Sequence, residues 1–125
     1  MSMLKQIILI TLVISVLDAV FLGSMSSFFK KQVFAVQHSE LKIDYVALVL
    51  CYVVMIFMIY YFIIRENRDI LYAGLLGWGT ILTYEFTTKA ILTNWSYLTV
   101  FIDGLWGGIL FMLTTFIVKK LDKLI

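Results

Sequence analysis

Residues 48–64 read LVLCYVVMIFMIYYFII, a run with no charged side chain and no alternation of polar with apolar positions. A half-buried strand needs that alternation, and so does each roughly ten-residue strand of a membrane barrel, so a β-barrel is excluded. The run IILITLV at 7–13 fails the same test. Working outward, four apolar stretches emerge at 7–23, 44–64, 70–93 and 98–118. Each is near the ~20 residues that cross ~30 Å of hydrocarbon as a helix. Lipid offers backbone groups no partners, so a spanning segment must be helical. The chain of 125 residues is 62% hydrophobic and 14% charged. A water-soluble domain of this size could not bury so much apolar surface. It has no proline to break the stretches, and the β-branched content is tolerated in a helix inside lipid.

The expected fold is all-α: one integral membrane domain over 1–125, a four-transmembrane-helix bundle running up-down-up-down. Lys5 followed by an apolar run resembles a signal peptide, but Asp18 stands where a small-residue cleavage site would form, which predicts a retained first helix. In the long connection, Met25, Phe28, Phe29, Val33 and Val36 recur at helical spacing with Lys30, Lys31 and Gln37 between them. This predicts an interfacial amphipathic segment, either a lid over the membrane site or a headgroup anchor. Lys5, Arg65, Arg68, Lys119, Lys120 and Lys123 fall on one side of the four crossings, against Lys30, Lys31 and Lys42 on the other. The positive-inside rule then places both termini on the cytoplasmic side or its organellar equivalent. The net charge of +2 is concentrated at membrane exits, where lipid headgroups are sufficient partners, and no nucleic-acid role is expected. The single cysteine, Cys51, lies inside a span and reads as a packing residue.

Ionisable side chains inside the spans are the anomaly: Asp18, Glu85, Lys89 and Asp103. One such group facing lipid at mid-bilayer costs about 2.5–3.5 kcal/mol on insertion scales, so all four are expected to face the bundle interior. Asp18 lies five residues before Gly23, Asp103 five after Leu98, and Glu85 eight before Thr93. With alternating helix direction and ~1.5 Å per residue, the three carboxyls sit within about one turn of a common level. Lys89 follows Glu85 by four residues, the favourable order for an ion pair. Helical spacing adds Thr11 and Ser15 to Asp18, Thr88 to Glu85 and Lys89, and Thr99, Trp106 and Thr114 to Asp103. Ser15, Trp78, Tyr84, Thr88 and Trp106 are the expected lining of this site. The second span is expected to pack outside it, with Met55, Phe57 and Met58 toward lipid or a partner. Close helix approaches are expected at Ser15, Ala19 and Gly23, at Ala73 and Gly77, and at Gly104 and Gly108, faces that also serve dimers. Trp95 and Tyr97 read as interface anchors. His38 is the only histidine and has no second ligand at credible spacing, so neither metal nor cofactor is expected.

The same residues carry a family resemblance over nearly the whole chain. Leu17, Asp18, Leu22 and Gly23, with Phe21 in a tryptophan position, look like a Leu-Asp-x-x-Trp-Leu-Gly pattern, and Phe28 and Phe29 like the Phe-Tyr pair after it. Thr80 to Thr88 resembles Gly-x-x-x-Tyr-Asp-x-Thr-Asn, keeping Tyr84 and Thr87, with Glu85 for aspartate and Thr88 for asparagine. Trp95 and Ser96 fit a Trp-Pro element, and Asp103, Trp106 and Gly107 match Asp-x-x-Trp-Gly. These motifs resemble the small integral membrane proteins grouped as domain of unknown function 2177. The resemblance implies a four-helix membrane fold with a shared polar site.

Three functions compete. The first is binding or transport of a small polar solute or protons at the carboxylates, in a homodimer because four short helices enclose little space. The second is an intramembrane lipid-modifying or lipid-binding protein with one carboxylate as general acid or base. The third is an accessory, structural subunit of a larger membrane assembly whose charged cluster fixes helix register. No nucleotide loop, nucleophile elbow or zinc signature is present, which counts against an enzyme.

Overall fold

The computed structural model describes residues 2–125. It contains five helices: α1 Met3–Ser24, α2 Ser26–Gln37, α3 Tyr45–Met58, α4 Ile70–Ile91 and α5 Tyr97–Leu124. A π-helical turn, Ile59–Ile64, continues α3. No strand occurs among the described residues. The long helices start where short oxygen-bearing side chains satisfy the first free N–H groups. Ser2 accepts from Lys5 N, Asp44 from Val46 N and Ala47 N, Asp69 from Leu71 N at 2.9 Å, and Ser96 from Thr99 N. Only Met25 separates α1 from α2. The latter ends at His38 in the left-handed conformation, φ 58°. The expected amphipathic segment is therefore a true helix.

Three helical segments are long and apolar enough to cross a membrane: Met3–Ser24, Tyr45–Ile64 and Tyr97–Leu124. Helix α4 has the length, 22 residues, but Glu85, Lys89 and Thr80, Thr83, Thr87 and Thr88 dilute its apolar content. The threonines soften that polarity by returning their hydroxyls to carbonyls one turn back, as from Thr80 to Leu76 at 2.7 Å and from Thr87 to Thr83 at 2.7 Å. Helix α5 runs past the expected limit at 118 and continues to Leu124. Its last turn is tied to α1: Lys5 Nζ stands 3.6 Å from Asp122, and Gln6 donates to Asp122 Oδ2 at 3.1 Å. Beside this, Lys119 donates to the carbonyl of Arg68 in the turn before α4.

Helices α4 and α5 form the tightest seam. A Cβ on Gly77 would stand 2.5 Å from the Gly107 carbonyl oxygen, and one on Gly107 2.5 Å from Ile81, so the two backbones approach as only glycine allows. The expected approaches at Ala73, Gly77, Gly104 and Gly108 are used. Those of α1 are not: Ser15, Ala19 and Gly23 are exposed, and a Cβ on Gly23 would meet nothing within 4 Å. The side of α1 that packs carries Leu9, Ile10 and Ile14 instead, against Ile59, Ile63, Ile64, Leu110, Phe111 and Val118.

The apolar packing thus fills the half of the bundle near the chain ends. In the other half α3 stands off. No residue from Tyr45 to Val54 is buried, and burial begins at Met55.

Candidate functional site

In that looser half, Asp18 of α1 joins three helices. Its Oδ2 accepts the hydroxyl of Tyr52 from α3, and its Oδ1 accepts the indole N–H of Trp106 from α5 at 3.0 Å. Phe21, nearly one turn beyond Asp18, lies flat on that indole, with centroids 4.6 Å apart and planes 6° apart. The stack fixes the plane in which the N–H points.

Glu85 of α4 is 0% exposed. Its Oε1 accepts the indole N–H of Trp95 at 2.9 Å, from the turn between α4 and α5. Its Oε2 receives no N–H or O–H donor among the described residues. The Asp103 carboxyl of α5 is its acidic neighbour on the facing helix. The ion pairs among the described residues are Lys5–Asp122 and Arg65–Glu66, so none neutralises Asp18, Glu85 or Asp103.

A second network closes the end of the bundle beside this pair. Gln32, buried on the inner face of α2, donates to the Asn94 carbonyl at 2.8 Å. Its Oε1 accepts from Ser96 N at 3.0 Å and from the Thr99 hydroxyl at 2.5 Å. Asn94 answers with a bond to the Ala35 carbonyl at 3.0 Å. Helix α2 is thereby fastened to the α4–α5 turn, the segment that supplies Trp95 to Glu85.

Between α3 and the α4–α5 pair lies a cleft of about 620 Å³. Asp18, Asp103, Tyr84 and Thr80 contribute its polar wall, with Trp106 beside them, and Leu50, Val54, Met55, Met58, Leu110 and Phe111 contribute an apolar one. Cys51 also faces it. Asp18 and Asp103 thus share one cavity, while Glu85 stands behind Asp103. Among the described residues no group of three or more His, Cys, Asp or Glu side chains is arranged to hold a metal ion.

Several expectations are corrected. Lys89 does not pair with Glu85. Its ammonium donates to the Thr93 carbonyl at 3.1 Å and lies 5.1 Å from the Tyr97 ring, reaching along the helix toward its polar end as long cationic side chains do in membranes. Ser15 is exposed, because the packed stripe of α1 runs through Ile10 and Ile14. Trp78 lies on the α4–α5 seam over Gly108, its indole N–H on the Leu105 carbonyl at 3.0 Å, rather than in the cleft. The Thr88 hydroxyl is spent on the Tyr84 carbonyl at 2.9 Å. Met55 is buried and Met58 half-buried on the cleft side, so the second span belongs to the site, and only Phe57 faces outward as expected. Trp95 donates its indole N–H to Glu85. Tyr84 and Trp106 line the cleft. Tyr52 and Gln32 were not anticipated. A phenol one residue after Cys51, eight positions from the next tyrosine of its run, and a glutamine between the aromatic positions of α2, were the available signals.

No curated protein and no solved structure matches the chain. A family model described as "Predicted membrane protein (DUF2177)" matches residues 3–119, nearly the full length. With its apolar helices of spanning length and its motif residues gathered around Asp18, Glu85 and Asp103, the chain belongs to that family of integral membrane proteins.

Proposed function

We propose that the chain crosses the bilayer four times, α4 included, with both termini on the cytoplasmic side, and that it is a proton-linked carrier of a small cation. The crossing of α4 is supported by its enclosure. Its Ala73, Gly74, Gly77 and Glu85 are buried against the other helices, which offsets its polarity. The Lys5–Asp122 and Lys119–Arg68 contacts gather the termini and the turn before α4 at one end, and the Gln32 network gathers α2 and the α4–α5 turn at the other. The first end holds Lys5, Arg65, Arg68, Lys119, Lys120 and Lys123, the side that the positive-inside rule assigns to the cytoplasm.

The observation that carries the functional reading is Glu85 Oε2, fully buried and without a donor, beside the Asp103 carboxyl and with no cation paired to either. A buried polar atom left unsatisfied costs about 1–3 kcal/mol, more when charged. A proton held between the two carboxyls relieves that cost. A cation arriving at Asp103 through the cleft takes the proton's place, and the proton leaves, one positive charge for another. The test is a liposome assay of the purified full chain with butyltrimethylammonium, a permanently charged probe, and an external pH indicator. Cation movement coupled to opposite proton movement is expected, and lost in a chain carrying both E85Q and D103N. Absence of coupled flux from a folded wild-type protein, or flux that survives neutralising all three acids, refutes the carrier.

A second reading is supported by Asp18, both of whose oxygens are taken by neutral donors of the bundle. Such a group suits an accessory subunit whose polar contacts hold register. Stoichiometric copurification with a larger membrane assembly, with function surviving charge neutralisation, would select it.

A further inference from the structure

The two walls of the cleft differ in chemistry, and they differ along its depth. Asp103 and Leu50 lie at the α2 end, whereas Phe111 and Met58, each eight positions further along their helices (111−103 and 58−50), lie deeper. At ~1.5 Å per residue this is about 12 Å of wall. The deep part is Val54, Met55, Met58, Leu110 and Phe111, without a charged side chain, and the α2 end holds Asp18, Asp103 and Tyr84. Leu50 and Val54 are 59% and 54% exposed, so the cleft opens sideways through the half of α3 that does not pack. At membrane depth that opening faces acyl chains.

We propose that this cleft takes a cationic amphiphile from the lipid phase, its ammonium head between Asp18 and Asp103 and its single hydrocarbon tail along Val54, Met58, Leu110 and Phe111. The assignment rests on the cation-binding reading above and adds the class of ligand and its route. Charge complementarity selects the head. The cleft presents two carboxyls and no Lys or Arg, neither carboxyl has a counter-ion, and the buried, unpartnered Glu85 oxygen behind Asp103 adds to the same side of the balance. A phosphate-bearing headgroup meets repulsion there. Trp106 and Tyr84 line the same cleft as the two carboxyls. The apolar wall selects the tail.

The test uses the full chain in phosphatidylcholine nanodiscs, radiolabelled dodecyltrimethylammonium as the probe, and empty discs as background. Saturable binding is expected, displaced far better by unlabelled probe than by butyltrimethylammonium and not displaced by dodecanol. The D18N and D103N pair should weaken it at least tenfold. Because Asp18 also ties three helices together, Val54→Trp at an exposed cleft position supplies a second variant. It should lower the ratio of dodecyl to butyl affinity roughly tenfold, a loss of about 1.4 kcal/mol for the tail. A tail that merely concentrates the probe in the bilayer would leave that ratio unchanged, and this result overturns the proposal. So does binding no greater than that of empty discs, or displacement by dodecanol. If butyltrimethylammonium binds as tightly as the dodecyl probe, the amphiphile assignment falls while the cation site stands. Dodecyl binding without any cation-coupled proton flux in liposomes supports the cleft assignment and overturns only the carrier.

Discussion

Replacing Tyr52 by Phe removes one hydroxyl and should release the first half of α3. Between Tyr45 and Val54 no side chain is buried, and the phenol that donates to Asp18 is the polar tie between this stretch and the bundle. Hydrogen bonds between membrane helices average about 0.6 kcal/mol and reach about 1.7. Bonds to a charged group run to about 1.5–3 kcal/mol. Asp18 keeps its Trp106 bond in the variant, so the carboxyl is not orphaned, and a loss of about 1–2 kcal/mol is expected. The loss should be local. Hydrogen exchange of 45–54 should rise, while that of α5 and the π-helical turn stays at its original rate. Unfolding by denaturing detergent in bicelles, with Val49→Ala as a lipid-facing control, measures the global term. A double-mutant cycle with Asp18→Leu isolates the pair, because leucine offers no acceptor and the Tyr52 contribution should then vanish. A Y52F protein as stable and as protected as wild type, or full additivity with Asp18→Leu, refutes the tie.

Three further outcomes follow from the geometry. Gly77→Ala should destabilise by about 1–3 kcal/mol, since its methyl meets the Gly107 carbonyl oxygen at 2.5 Å, whereas Gly23→Ala should be neutral or stabilise by up to about 1 kcal/mol; thermal unfolding in detergent compares them. Gln32→Ala removes partners from Asn94, Ser96 and Thr99 and should raise hydrogen exchange in 26–37 and 94–99 without changing α1, at a cost of about 1–3 kcal/mol. Lys89→Met should change stability by less than about 1 kcal/mol, because the lysine is not paired with Glu85; breaking a buried ion pair would cost about 3–5 kcal/mol in the same detergent-unfolding assay.

The apolar helices were legible because uninterrupted runs such as 48–64 leave no alternative in lipid, and the amphipathic helix because its aromatic spacing is helical. Asp18, Glu85 and Asp103 were legible because carboxyls within spans are costly wherever they lack an enclosure. What escaped was how each is partnered. The four-residue spacing of Glu85 and Lys89 permits a pair, but Trp95, brought back by the α4–α5 turn, takes the accessible oxygen, and the lysine lowers its own cost by reaching outward. Contacts between distant segments leave no periodic mark: Tyr52 meets Asp18 across 34 positions and Gln32 meets Thr99 across 67. The small residues of α1 and α4 looked alike, yet those of α4 are used, Gly77 against the Gly107 carbonyl and Gly74 against Met112, while Gly23 of α1 meets nothing, because close approach needs complementary shape on both helices.

The π-helical turn at Ile59–Ile64 gives α3 the mechanics of a lever. Widening the turn brings Ile59, Ile63 and Ile64 together into the packed interior with Met55, and this is the fulcrum, while the arm beyond it, Tyr45–Val54, is tied to the other helices by the Tyr52 phenol. Ten residues make an arm of about 15 Å, so a tilt of about 15° at the fulcrum swings its far end by roughly 4 Å. A movement of that size is comparable to the width of a hydrocarbon chain, and it would come from a modest tilt rather than from unfolding any helix.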